Sequence, residues 1–395
     1  MFLHKLKLLH FRNYEQQELS FNARINIFKG NNGQGKTNLL EAIYYLAVSR
    51  SFRTNYDQEL VHWNKNDFFL KGNFQKGEDF YAVESAYQGF SKKFKIKVNG
   101  AEVKRSDFIY QFPVVVFSPD DLLLIKEGPA GRRRFLNLEG SRLIPSYYRK
   151  LKDYQKVLQQ RNRLLKEKRS NFFNRDLFEP WDRALVSLGS SIIKQRISLL
   201  KNLEAQAQVF FEQLSGYKEQ LSLNYVSSVT MADLSEKTEE LFWDQLNQGR
   251  GEELKRGYTL IGPHLDDFLI LINNYEAKKY ASQGQQRAAA LALKMGEVNL
   301  FCQARRESPI VLLDDVFSEF DPERRLQLLN FLRQREGQSF ITTAAPFDKQ
   351  GLQEGEFAIF SVYKGKINHE GARVNPGKNA PAEKNVASIQ PKFDH

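Results

Sequence analysis

Gly30-Asn31-Asn32-Gly33-Gln34-Gly35-Lys36-Thr37 satisfies the phosphate-loop pattern G-x-x-x-x-G-K-[ST] at every fixed position. Ahead of it, Ile25-Asn26-Ile27-Phe28 is short, apolar and β-branched, which predicts a buried strand. Behind it, Leu39, Leu40, Ile43, Leu46 and Ala47 recur at helical spacing. The glycines at 30, 33 and 35 let backbone N–H groups turn inward around phosphate oxygens, and a helix beginning near Lys36 adds its positive dipole end. Asn31, Asn32, Gln34 and Asn38 fall within the same expected nucleotide site. Lys36 is expected to reach the β- and γ-phosphates of ATP, and Thr37 to ligate Mg²⁺. An ordinary glycine turn explains the eight residues alone, but not the strand and helix on either side of them.

The 395 residues include 58 Lys+Arg and 47 Asp+Glu, a net charge of +11. Such a length predicts two or three domains or lobes and room for a sizeable core. Between Lys126 and Arg175 stand 15 basic residues and 4 acidic ones, so this window alone carries the whole excess. That concentration predicts one basic face meeting a polyanion. Arg132, Arg133, Arg134, Arg149, Lys150, Lys152 and Lys156 are the candidate contacts to that polyanion; for Arg132 to Arg134 the competing reading is a solvated helix start. Cys302 is the sole cysteine, which rules out a disulfide framework or a paired-cysteine metal site within one chain. Charges interrupt Met1 to Lys7 too early for a secretory core, and no apolar run approaches ~18 residues. A soluble cytoplasmic protein with no membrane partner is expected.

Along the chain, alternation in Lys5 to Leu8 and Leu19 to Phe28 predicts strands, and Phe68 to Val98 predicts an antiparallel meander packed on the nucleotide sheet. Phe112 to Phe117 is a further buried strand, closed by Ser118 as a helix cap ahead of Pro119. Tyr147, Leu151, Tyr154, Leu158 and Leu165 then mark the apolar face of a long helix, with Lys150, Lys152, Lys156, Arg161, Arg163, Lys166 and Lys168 on its other faces. A second long helix is expected after Pro180, ending at Gly216, so that two antiparallel helices form a lobe. Strands return at Leu221 to Val226 and Phe268 to Ile272, with one more short strand beyond Val362. The division is 1–125, 126–258 as an inserted basic helical lobe, 259–365, and 366–395, of which Gly371 to His395 has the composition of a disordered tail.

Two later stretches complete the expected site. Ile310-Val311-Leu312-Leu313-Asp314-Asp315 is an apolar strand tipped by two carboxylates, with Asp314 expected on the metal side. About thirty residues upstream, Ser282-Gln283-Gly284-Gln285 caps a strong helix former, and a capped helix N-terminus favours anions.

The order of these motifs resembles that of the ABC-type ATPases: phosphate loop, a partial match to the L-S-G-G-Q signature at Ser282, Gly284 and Gln285, then the acidic strand. Ser318-Glu319-Phe320-Asp321 matches the D-loop that follows. The fold class implied is α/β, an ABC-type ATPase head of mixed sheet plus antiparallel β subdomain, with an inserted helical lobe. The resemblance implies that ATP joins two copies into a homodimer, Ser282 of one contacting ATP held by Lys36 and Thr37 of the other. Asp315 stands where most such ATPases carry a glutamate that polarises the attacking water. A carboxylate one methylene shorter implies slow, switch-like hydrolysis.

Thr37 and Ser282 are separated by 244 residues, more than a transporter nucleotide domain has and fewer than a coiled-coil arm needs. With His10-Phe11-Arg12-Asn13-Tyr14, Arg50-Ser51-Phe52-Arg53-Thr54, Phe117-Ser118-Pro119-Asp120-Asp121-Leu122 and Gly262-Pro263-His264-Leu265-Asp266-Asp267, residues 1 to about 365 resemble the RecF family. Leu265 stands where that family usually has a basic residue, and Phe52 where it usually has a histidine. The resemblance implies an ATP-dependent DNA-binding protein of recombinational repair and replication-fork maintenance. It would act on gaps, junctions and single strands, assist recombinase loading and SOS induction, and work with RecR and RecO. The alternative is the nucleotide-binding subunit of an ABC transporter. The residues leave Arg12 and Arg53 open between nucleotide, DNA and acidic partners, and make His264 a turn histidine rather than a catalyst.

Overall fold

The computed structural model describes residues 1–108, 111–167, 175–216, 218–230, 237–344 and 355–370. Lys168 and the tail Gly371 to His395 lie outside the described residues.

The apolar run ahead of the glycine loop becomes a central strand. In chain order the strands are β1 (Phe2–Phe11), β2 (Tyr14–Ser20), β3 (Ile25–Lys29), β4 (Asp67–Lys76), β5 (Asp79–Gln88), β6 (Lys93–Val98), β7 (Ala101–Glu102) and β8 (Val114–Phe117). They continue as β9 (Leu221–Val226), β10 (Asp267–Ile272), β11 (Tyr275–Glu276), β12 (Ile310–Leu313), β13 (Ser339–Thr343), β14 (Phe357–Tyr363) and β15 (Lys366–Glu370). The sheet that carries the loop has the order β15-β14-β3-β13-β12-β8, parallel except for β15. The expected meander is an antiparallel sheet of order β2-β1-β4-β5-β6-β7, and β11-β10-β9 forms a third.

Alternation along the central strands separates two cores. Phe28, Leu312, Phe340 and Phe360 face the helix Lys36–Val48 and the meander, whereas Ile27, Leu313, Ile341 and Ile359 face the helix Gln283–Arg305. The phosphate-loop helix and the Ser282 helix therefore cover opposite faces of one sheet.

The helical region is built mainly from Pro129–Leu143, Tyr147–Glu167 and Arg175–Ser215. Tyr147 meets Arg196, Lys150 meets Ser191 and Arg161 meets Asp182, a descending register that makes the two long helices antiparallel. The second long helix begins at Arg175, five residues before Pro180, and carries that proline inside it instead of following it. So near the helix start the proline forgoes a single backbone bond, to Asp176, which the packed helix tolerates. Past Leu199 this helix leaves its partner and packs on Gln283–Arg305 in the main core, where Gly296 lets the two backbones close at Ala207. Gly216, at φ +69°, ends it as expected. Lys366–Glu370, grouped with the tail in the sequence division, is the edge strand β15.

Candidate functional site

The phosphate loop leaves β3 at Gly30, whose N–H donates to Thr343 O at 3.3 Å. Gly33 and Gly35 have φ of +78° and +112°, and a Cβ on Gly35 would strike the Asn13 amide. Two turns clasp the loop from outside. From the β1–β2 turn, Asn13 Nδ2 donates to Gln34 O at 3.0 Å and Tyr14 OH to Gly35 O at 2.8 Å; Asn38 Nδ2 donates to Asn13 Oδ1 at 2.8 Å. From the β14–β15 turn, Gly365 N–H also donates to Gln34 O, at 3.1 Å, and Lys364 N–H to Gln34 Oε1, at 2.8 Å. The side chains of Asn31 and Asn32 stay exposed.

Lys36 curls over the loop, its ammonium donating to Gly30 O at 2.5 Å and Asn31 O at 2.9 Å. Burial lowers its pKa, opposed by Asp315 and Asp314 nearby. Thr37 Oγ1 donates to Asp314 at 2.8 Å, and Thr342 Oγ1 to the same carboxylate at 2.7 Å. Burial raises the Asp314 pKa against those two hydroxyls. A hydroxyl and a carboxylate form an all-oxygen donor pair suited to Mg²⁺, which takes its remaining ligands from water and phosphate. Among the described residues no group of three His, Cys, Asp or Glu side chains forms a cage of its own.

Asp315 sits at φ +49°, its N–H donating to Thr342 Oγ1 at 2.9 Å. Its Oδ1 accepts from Ser318 Oγ at 2.7 Å, joining the acidic tip to the D-loop. Ser282 is exposed and forms a capping box with Gln285, Oγ accepting from Gln285 N at 3.2 Å while Gln285 Oε1 accepts from Ser282 N at 2.7 Å. Gln285 Nε2 reaches Glu219 at 2.5 Å, and Gly284 lies beside Arg324. Among the described residues, no hydrogen bond joins Ser282 to the phosphate loop of its own chain.

Arg12 and Arg53 resolve toward acid pairing. Arg12 grips fully buried Glu41 through two bonds of 2.8 Å, Ser51 Oγ adds a third at 2.5 Å, and Arg53 lies 3.4 Å from the same carboxylate. Phe52 packs edge-on against Tyr44, with centroids 5.4 Å apart. Sequence reading missed Glu41 and Asn13 as supports of the loop. Their signal was present: a carboxylate on the apolar helix of Leu39 to Ala47, and an asparagine in a tight turn. His264 is the expected turn residue, Nδ1 meeting Tyr154 OH at 2.7 Å, with burial lowering its pKa to about 4.

The basic residues divide. Arg132 is buried and bidentate on Asp267, at 2.8 and 2.7 Å, and is no surface contact. Arg161, placed on a polar face by its spacing, is fully buried between Asp182, Glu253 and Thr259. Both corrections have one cause: a guanidinium can be neutralised by acids distant in sequence, which a local charge count does not see. Arg133 donates to Asp266 O at 3.0 Å, and Lys150 to Ser191 Oγ at 2.6 Å. Arg134, Arg149, Lys152 and Lys156 are exposed; on the helix Tyr147–Glu167, residues 149, 152 and 156 share one face, which Arg163 and Lys166 extend.

The family model described as RecF/RecN/SMC N terminal domain matches residues 2–364. The DNA replication and repair protein RecF of Clostridium acetobutylicum is 37% identical over 371 residues, covering 93% of this chain and 99% of that protein. The chain belongs to the RecF family. The RecF of Halothermothrix orenii is 38% identical over 372 residues, covering 93% and 98%. A solved structure of the recombination mediator protein RecF with ATP in the RecFOR pathway superposes at TM-score 0.84 and 35% identity, covering 93% of this chain and 97% of that one. The Smc head bound to the C-winged helix domain of ScpA, at TM-score 0.52 and 13% identity, shares the fold. Near full-length likeness to RecF sets the transporter-subunit alternative aside.

Proposed function

We propose that this chain is an ATP-binding DNA replication and repair protein whose two copies close on ATP and hold DNA against the exposed basic helix face. The carrying observation is the split of the motifs: Thr37 and Asp314 meet within one chain, while exposed, capped Ser282 sits on a helix packed on the other face of the sheet and bonds nothing in its own loop. A second copy related by two-fold symmetry supplies each loop with the other's Ser282. Mg²⁺ at Thr37 and Asp314 would neutralise β- and γ-phosphate charge. Asp315 would orient water at the acidic tip, giving slow hydrolysis.

Arg134, Arg149, Lys152 and Lys156 would meet DNA phosphates without reading bases. Work beside RecO and RecR is supported by likeness to the ATP-bound RecF, a recombination mediator protein of the RecFOR pathway. Among the described residues no helix is long and apolar enough to cross a membrane, and we place the activity in the cytoplasm. The test is sedimentation and DNA binding with and without ATP for the wild type, Lys36→Arg and Ser282→Arg. ATP should dimerise the wild type alone; dimerisation of Ser282→Arg on ATP would falsify the shared site.

A further inference from the structure

The direction of the nucleotide across the loop follows from sheet order. Asp314, the partner of Thr37, stands at the tip of β12, which lies beyond β13 on one side of β3; β14 lies on the other side. A triphosphate whose terminal phosphates lie toward Asp314 must leave the loop on the β14 flank. There the β14–β15 turn is fixed against the loop: Lys364 N–H and Gly365 N–H both donate to Gln34, and Gly30 abuts Val362 O. Gly365, at φ +72°, comes so close to Asn13 that any Cβ would press on its carbonyl. The turn is thus a rigid extension of the phosphate cradle.

Tyr363 stands at its start, 64% exposed, with the Lys364 ammonium 5.4 Å from the ring centre. Of the other aromatic rings near the loop, Tyr14 is buried with its hydroxyl on Gly35 O, and Tyr44 is buried against Phe52. Exposed Tyr56 and Trp63 line a cavity with Arg12, Asn13 and Asn38 on the side of the β1–β2 turn, in a segment bonded to His10 through His62 N–H, and not on the β14 flank.

The geometry points to Tyr363 as the base platform of the nucleotide site, its ring stacking on the purine of the nucleotide whose phosphates the loop of the same chain holds, with Lys364 beside the ribose and α-phosphate. This rests on the ATP reading above and adds the nucleoside subsite to it. Stacking depends on ring overlap and not on base edges, so adenine and guanine should be held alike.

Calorimetric titration of the full chain with ATP, GTP and inorganic tripolyphosphate, each with Mg²⁺, separates base from phosphate. Tyr363→Ala should weaken ATP and GTP by about 5- to 150-fold, the range that loss of one base–aromatic stack gives, and leave tripolyphosphate unchanged. Tyr363→Phe should bind as the wild type does, and Lys36→Ala should weaken all three ligands. Tyr363→Ala binding ATP like the wild type, losing tripolyphosphate equally, or being matched by Trp63→Ala would each overturn the assignment. A wild type that binds none of the three would instead defeat the nucleotide reading itself.

Discussion

Thr37 Oγ1 lies 2.8 Å from Asp314 Oδ2 although 277 positions separate the two residues. The contact ties the first turn of the phosphate-loop helix to the tip of β12, so the loop and the acidic strand form one oxygen-lined corner. Asp314→Asn keeps the shape and removes the charge a divalent cation needs. ATP affinity should then lose its dependence on Mg²⁺: titrations in Mg²⁺ and in EDTA should converge, while in the wild type they differ. A variant that keeps the full Mg²⁺ effect would remove Asp314 from the metal side.

Asp315 is held by backbone and hydroxyl bonds to Thr342, Ser318 and Ala344, with no phosphate-loop atom among those partners. Asp315→Asn should therefore leave ATP binding and dimerisation intact while lowering hydrolysis by about a hundredfold or more, as expected for loss of a general base. Wild-type turnover should itself fall below roughly ten per second, the median for enzymes. Steady-state phosphate release beside sedimentation reads both quantities.

Cations that stabilise the fold and cations available to a polyanion separate by burial. Arg132→Ala empties a buried site and leaves half-buried Asp267 without its partner, and should cost on the order of 2 to 3 kcal/mol in chemical denaturation. The triple substitution Arg149→Ala, Lys152→Ala, Lys156→Ala should cost little stability. It should instead flatten the dependence of log affinity for DNA on log salt by about 2 to 3, near 0.9 for each phosphate that is no longer neutralised. Equal salt slopes in the wild type and the triple variant would move the DNA face elsewhere.

Beneath the sheet, Arg142 and Lys294 share a buried cluster with Glu139, Glu297 and Asp121. Two cations face three carboxylates, so one proton restores neutrality. Burial first and Glu297 second push the Glu139 pKa up to about 8. A folded pKa above the unfolded value of 4.5 contributes stability that is complete below pH 4.5 and lost as pH rises toward 8. Glu139→Gln, a mimic of the protonated acid, should gain on the wild type by on the order of 1 to 3 kcal/mol between pH 5 and pH 8.5. Denaturant titration at the two pH values measures it. His264 carries the opposite sign: its lowered pKa costs stability as pH falls from 6.5 toward 4.

Local pattern made much of this legible. The glycine loop, its strand and helix, the meander, the acidic strand and the Ser282 cap each depend on a few neighbouring residues whose chemistry is self-contained. What sequence left open depends on partners far along the chain. Arg132 and Arg161 look like surface cations until Asp267, Asp182 and Glu253 fold against them. Arg12 and Arg53 converge on Glu41, which periodicity along its helix does not mark. The early start at Arg175 was hidden because Pro180 reads locally as a helix start, whereas packing against Tyr147–Glu167 offsets its missing bond.

The clasp on Gln34 draws one hand from residue 13 and the other from residue 365. During synthesis the glycine loop leaves the ribosome early, yet its outer brace arrives only with the last described strand. A nascent or truncated copy that stops short of that strand has the sequence motif with only one hand of its clasp. Nucleotide capture should therefore sort finished molecules from unfinished ones.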